Sequence, residues 1–150
     1  MKVAITNRQR RHPVPTKALR KVAERILSAL GYPDSELSLV ITGDRGIRRV
    51  NREYLGKDRP TNVISFAMNE GEFGGVNPEL LGDVIISADT TAREAEEGGL
   101  PFWHRLCFLV IHGVLHITGY DHERSGEAEA RRMEAKEREL FALLEDEALV

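Results

Sequence analysis

The stretch "FWHRLCFLVIHGVLHITG", residues 102–119, decides the fold of this 150-residue chain. Its residues are apolar on nearly every face of a helix, which is typical of a central, buried helix. Gly119 closes the stretch, and glycine favours the left-handed backbone conformation at which helices often end. The sequence therefore predicts a buried helix that ends at this glycine.

Strands and helices are predicted on both sides of this segment from hydrophobic periodicity and from Gly and Pro breaks. The predicted strands are residues 3–6, 36–42, 63–67 and 82–87. The other predicted helices are residues 16–30, 44–55, 87–98 and 124–144. We expect one α+β domain over residues 1–150, with about five helices packed around a mixed sheet of about four strands.

Composition points to a cytoplasmic protein without a membrane segment. No apolar run reaches the roughly 20 residues of a membrane span, and residues 1–13 lack the features of a signal peptide. The single cysteine, Cys107 in "LCFLVI", cannot form an intramolecular disulfide. We expect its thiol to be buried and inert.

Charge is distributed unevenly along the chain. Residues 1–59 hold 14 Lys and Arg against 6 Asp and Glu, whereas residues 60–150 hold 7 against 18. Either the first part meets a polyanionic partner, or the charges interleave on the folded surface and cancel. The cluster of Arg8, Arg10, Arg11 and His12 favours a phosphate-contacting patch.

Three of the five histidines lie in "HGVLHITGYDH", residues 112–122. His112 and His116 are four residues apart, which places them on one face of the predicted helix. A turn at Gly119 can bring His122 back toward the same point. Three imidazole nitrogens with a vacant fourth position are typical of a catalytic zinc site. The alternative, three histidines packed in the core, requires a separate partner for each buried ring.

The same histidine spacing occurs in metzincin proteases, which is an alternative function. Those enzymes have glutamate directly after the first histidine, as the general base. This chain has Gly113 at that position. The substitution argues against proteolysis.

Three blocks of the sequence resemble the YbeY family, the bacterial rRNA maturation factors and single-strand endoribonucleases. They are "HGVLHITGYDH" at 112–122, "YLGKDRPTNVISF" at 54–66 and "LGDVIIS" at 81–87. The resemblance implies a single α+β domain that binds zinc through His112, His116 and His122. It also implies RNA cleavage at the 3′ end of the small-subunit (16S) rRNA, ribosome quality control, and the small ribosomal subunit as partner.

One position departs from the family pattern. Leu55 stands where the family usually has a functionally important arginine. Lys57 or Arg59, in the same loop, are the candidates to supply the missing positive charge. These two residues are also the candidate RNA-binding residues, with an ordinary solvated loop as the alternative.

The remaining candidates are two carboxylates within the motif blocks. Asp83 is expected either to orient a ligand histidine or to cap its strand, and Asp121 either to orient a ligand or to form part of the turn. No general base is identified from the sequence. Two other functions stay open: a non-catalytic ribosome assembly factor with structural zinc, and a metallohydrolase acting on peptides or small molecules.

Overall fold

Strands and helices alternate along most of the chain in the structure, a computed structural model that describes residues 2–68, 79–120 and 126–150. The strands are β1 (Lys2–Asn7), β2 (Glu36–Thr42), β3 (Val63–Ala67) and β4 (Leu80–Ser87). The helices are α1 (Thr16–Ala29), α2 (Asp44–Leu55), α3 (Ala88–Gly98), α4 (Phe102–Ile117) and α5 (Gly126–Asp146). The predicted α+β architecture is confirmed.

The four strands form one mixed sheet in the order β1-β2-β4-β3. β1 pairs with β2 and β2 pairs with β4 in parallel, whereas β3 runs antiparallel to β4. Ile86 of β4 is paired with Ile41 on one side and with Val63 on the other. β4 is therefore an interior strand, which agrees with its apolar residues Leu80, Leu81, Val84, Ile85 and Ile86.

α4 is the central helix, as its sequence predicts. It packs against β3, β4, α1, α3 and α5. Its buried residues are Leu106, Cys107, Leu109, Val110, Ile111, Gly113, Val114, Leu115 and Ile117. None of the described helices is long and apolar enough to cross a membrane alone; α3 and α4 meet those criteria only as a pair bent by 117°.

The distance between α4 and the sheet is set at Gly113. A Cβ atom on this glycine would lie 2.6 Å from Cγ1 of Val84 and 3.2 Å from Oγ of Ser65. The Ser65 hydroxyl also donates a hydrogen bond of 3.1 Å to the carbonyl of Gly113. β3 and β4 therefore approach the helix backbone so closely that only glycine fits at this position.

α4 ends where the glycine was expected to end it. Gly119 has a φ of 104°, and the Tyr120 N–H donates to the carbonyl of Leu115 at 3.0 Å. This bond reaches back from the second residue beyond the C-cap, Thr118, and is the hallmark of a Schellman ending. The chain therefore changes direction immediately before residues 121–125.

The thiol of Cys107 is buried in the core, and burial raises its pKa to about 12. A thiol with so high a pKa is almost entirely protonated at neutral pH and does not act as a nucleophile. The predicted inert cysteine is confirmed.

His12, part of the predicted phosphate-contacting cluster, is packed against α3 and α4 and is only partly exposed. Its ring stacks on Phe102 at a centroid distance of 5.7 Å, and its Nε2 lies 3.1 Å from Oδ1 of Asp89. Asp89 also lies 3.9 Å from the guanidinium of Arg11. The N-terminal basic cluster is therefore partly neutralised by α3.

Asp44 fixes the start of α2 to β4 and α3. Its Oδ1 accepts hydrogen bonds from Ser87 and Thr90 at 2.7 and 2.6 Å, and its Oδ2 lies 2.8 Å from the guanidinium of Arg93. Burial by itself raises the pKa of Asp44, but the bonds from Thr90, Ser87 and Arg93 outweigh it and hold the pKa below its ordinary value.

We expect Gly113→Ala to destabilise the fold, because the added methyl group overlaps Val84. Such overpacking costs about 1–3 kcal/mol, or roughly 2–10 °C in Tm for a chain of this size. Thermal denaturation followed by circular dichroism measures the change. Gly98→Ala is the matched control. Its added Cβ atom would lie 3.7 Å from Cδ1 of Leu100, which is an ordinary van der Waals distance. Equal Tm values for the two variants would contradict the proposed steric limit.

We expect Asp44→Asn to lower the free energy of unfolding by about 1 kcal/mol at neutral pH. Because the folded-state pKa of Asp44 is lowered, its contribution is present above the unfolded pKa of about 3.9 and is lost as the pH falls through the folded value. Urea titrations of both proteins across this range should therefore converge at acidic pH. Asp146→Asn, at an exposed position, should show no such pH-dependent difference.

Candidate metal centre and nucleic-acid cleft

His112 and His116 present their Nε2 atoms to the same point beside α4. The two atoms are 3.1 Å apart, and the ring planes are inclined by 76°. Two nitrogens bound to one tetrahedral zinc ion, each at about 2.0–2.1 Å, would be about 3.3 Å apart. The observed separation therefore fits two ligands of one cation.

Glu137 holds the His112 ring in place. Its Oε2 lies 2.8 Å from Nδ1 of His112, and the residue is only 7% exposed. An ionised carboxylate can only accept, so it selects the tautomer of His112 that carries its proton on Nδ1. The Nε2 lone pair then faces His116. A carboxylate behind a ligand histidine is the usual supporting partner in protein metal sites.

The histidine pair lies in a cleft of about 420 Å³. One wall comes from α4 and Tyr120, and the other comes from α2, β3 and the loop between them. The lining includes Asn51, Leu55, Lys57, Arg59, Ser65, His112, His116 and Tyr120. The cleft thus combines two imidazoles with two cationic side chains, an arrangement suited to a phosphate ester.

Asn51 fixes the loop that carries the two cations. Its side-chain amide donates to the carbonyl of Arg59 at 2.9 Å, and its backbone carbonyl accepts from the Lys57 N–H at 3.2 Å. Asn51 is 3% exposed, so these bonds are shielded from water. Lys57 and Arg59 therefore share the cleft with the histidines on a constrained backbone.

The third predicted histidine ligand and one candidate carboxylate are not placed by the structure. His122 and Asp121 lie outside the described residues, so their roles stay predictions. Within residues 2–68, 79–120 and 126–150, no set of three His, Cys, Asp or Glu side chains could hold a metal ion. A third His, Cys, Asp or Glu ligand of a metal bound by His112 and His116 would therefore have to come from residues outside these ranges.

Asp83 does not join the histidine pair. It alternates along β4 with Val84, which faces Gly113 of α4, so its side chain points to the opposite face of the sheet. It is absent from the described lining of the cleft. The structure thus separates Asp83 from His112 and His116, and a role of Asp83 in orienting His122 stays a prediction.

Glu137 is the residue that sequence reasoning missed. It occupies the buried face of α5 together with Met133, Leu140 and Leu144. A carboxylate at helical spacing within an apolar face is a detectable signal, because buried carboxylates require a partner. Because Glu137 is 25 residues from His112 in the chain, the sequence does not show that His112 is its partner.

The sequence comparisons identify one family. The profile described as "Endoribonuclease YbeY" matches residues 4–145. The chain belongs to the YbeY family. It is accordingly an enzyme, a nuclease of the hydrolase class, as the motif resemblance predicts.

Several curated proteins named "Endoribonuclease YbeY" are similar to this chain. Those of Geobacter metallireducens and Geobacter sulfurreducens are 84% and 81% identical over 150 residues, which is all of each chain. The protein of Aquifex aeolicus is 49% identical over 113 residues, covering 75% of this chain and 73% of its own length.

A solved structure shares the fold. The solution structure of TM1509 from Thermotoga maritima superposes with a TM-score of 0.63 at 19% sequence identity, covering 98% of this chain and 94% of that chain. At this identity the likeness concerns the fold alone.

Leu55, the departure from the YbeY pattern, lies in the wall of the cleft. Half of its surface is exposed, and Lys57 and Arg59 line the same cleft. Lys57 and Arg59 thus lie in the same cleft as Leu55, and their replacement of the missing positive charge stays a prediction.

We expect Glu137→Ala to change the tautomer of His112 in the metal-free protein. Loss of the acceptor removes the preference for the proton on Nδ1, and the neutral ring redistributes toward the Nε2–H form. Imidazole ¹⁵N chemical shifts measure the two populations. Glu137→Gln keeps an acceptor oxygen and should keep the wild-type tautomer, as should Glu134→Ala at an exposed position on the same helix. An unchanged spectrum for Glu137→Ala would show that Glu137 does not set the tautomer.

Proposed function

We propose that this chain is a zinc-dependent, single-strand-specific endoribonuclease. In this proposal it acts in the cytoplasm on the 3′ end of 16S rRNA, in contact with the small ribosomal subunit, and contributes to ribosome quality control. The observation that carries it is the 3.1 Å convergence of the His112 and His116 Nε2 atoms inside a cleft that also contains Lys57 and Arg59. The names of its relatives supply RNA as the substrate.

Zinc would be held by His112, His116 and His122. When bound, it supplies Lewis acidity that activates water and withdraws charge from the phosphodiester. Imidazole nitrogens are preferred zinc ligands, and three of them leave a position for substrate or water. Glu137 orients the first ligand through its hydrogen bond to Nδ1.

Lys57 and Arg59 would hold the RNA backbone across the cleft. Their cationic side chains attract the phosphates, and the bonds from Asn51 limit the movement of the loop. A fixed loop favours catalysis, because the scissile phosphate is then positioned before the reaction begins.

The packing at Gly113 also supports nuclease chemistry over peptidase chemistry. A metzincin mechanism needs a glutamate there, yet even a Cβ atom would lie 2.6 Å from Val84. A glutamate at this position would require α4 to move away from the sheet.

The test compares His116→Ala with His104→Ala, a control at a half-buried histidine on the same helix. Elemental analysis should find one zinc per chain in the wild type and in His104→Ala, and a loss in His116→Ala. Glu137→Ala should bind zinc about 10–100-fold more weakly, as for other supporting carboxylates. Equal zinc content in all variants would exclude the ligand assignment.

The same proteins, freed of contaminating nucleases, are then incubated with single-stranded RNA, duplex RNA and casein. The wild type and His104→Ala should cleave only the single-stranded RNA, and His116→Ala should be inactive. Cleavage that survives in His116→Ala would place the activity elsewhere. Mapping of 16S rRNA 3′ ends in cells lacking the protein, rescued with each variant, tests the cellular substrate.

A further inference from the structure

α2 presents four arginines on one exposed face. Arg45, Arg48, Arg49 and Arg52 follow the i, i+3, i+4, i+7 spacing that aligns side chains along a helix. Together they line a surface depression of about 300 Å³, to which no other described residue contributes. We call these four residues the arginine stripe. It is about 10 Å long, at 1.5 Å per residue.

The arginine stripe is only slightly neutralised. Arg48 pairs with Asp58 at 2.8 Å, and hydrogen bonding to Arg48 lowers the pKa of Asp58 below its ordinary value. Among the described residues, no carboxylate lies within 4 Å of Arg45, Arg49 or Arg52. Like charges at i+3 and i+4 destabilise a helix, so the fold itself gains nothing from this arrangement.

The chemistry of the stripe indicates its ligand. Arginine presents a planar fork of donors that matches a phosphate group, and all four positions are arginine. No aromatic residue lines the depression, so it offers no stacking platform for bases. The stripe therefore fits the sugar-phosphate backbone of a nucleic acid, independently of its sequence.

The stripe borders the cleft that contains the histidines. Asn51 and Leu55, which line that cleft, follow Arg48 and Arg52 by three residues and are their neighbours on the helix surface. Asp58, the partner of Arg48, lies in the loop between Lys57 and Arg59. An RNA strand that leaves the cleft on this side would therefore next contact the arginine stripe.

We propose that the arginine stripe binds backbone phosphates of the RNA strand whose scissile bond lies in the cleft. This inference rests on the proposed function and adds a second binding segment to it. It extends the substrate-binding surface beyond Lys57 and Arg59, so longer RNAs bind more tightly than short ones. The contribution is electrostatic and therefore depends on salt.

The test uses Arg45→Gln, Arg49→Gln and Arg52→Gln combined in one variant. It keeps the ion pair between Arg48 and Asp58, and it removes the three arginines that have no carboxylate within 4 Å among the described residues. Binding of fluorescent single-stranded RNA to the metal-free proteins is measured as a function of salt. Three lost phosphate contacts should reduce the slope of log Kd against log salt by about 2, and should weaken binding about 100-fold near 0.1 M salt.

The matched control replaces Lys17, Lys21 and Arg138 with glutamine. These exposed residues lie on α1 and α5, whereas α2 packs mainly against β2, β4 and α3. The control loses the same net charge and should keep the wild-type salt slope. An equal decrease of the salt slope in both variants would show that the effect depends only on net charge. That result would overturn the proposal.

Cleavage kinetics with loaded enzyme separate this inference from the proposed function. For a long RNA the stripe variant should show a raised KM with unchanged kcat, and for a tetranucleotide confined to the cleft it should match the wild type. If the wild type cleaves RNA and the stripe variant keeps the wild-type salt slope, the stripe proposal alone is wrong. If the wild type cleaves no RNA, the proposed function is wrong, and the binding slopes still decide the role of the stripe.

Discussion

The contact between Gly113 of α4 and Val84 of β4 is the constraint on which the rest of the structure depends. It lets the helix backbone approach the sheet more closely than any side chain at position 113 would allow. His112 lies beside this contact, and His116 lies one turn beyond it. Both histidines are thereby held at the junction of α4 with β3, where the cleft opens. The same contact leaves no space for the glutamate of a peptidase.

A helix surrounded by apolar neighbours must still satisfy its polar side chains. The partner for the His112 ring comes from a different helix: Oε2 of Glu137 on α5 lies within hydrogen-bond distance of Nδ1 of His112. A buried carboxylate and a half-buried imidazole would each be costly alone, whereas together they satisfy one another. The packing of α5 on α4 therefore supports both the core and the orientation of a candidate ligand.

The two basic clusters of the first 59 residues differ in how far nearby carboxylates neutralise them. Near the N-terminus, His12 and Arg11 meet Asp89, so that cluster is partly used within the fold. On α2 the charge of Arg45, Arg49 and Arg52 remains exposed. A strongly basic surface thus lies beside the histidine cleft, although the chain carries a formal net charge of −3.

The sequence by itself determined the type and approximate limits of the helices and strands, because hydrophobic periodicity is a local property. It also determined that His112 and His116 share one helix face and that α4 ends just before Gly119. Only the tertiary structure decided the strand order, the placement of Asp83 on the opposite face and the partnership of Glu137 with His112. These features join residues far apart in the chain, and their energies depend on burial and contact that no local pattern contains.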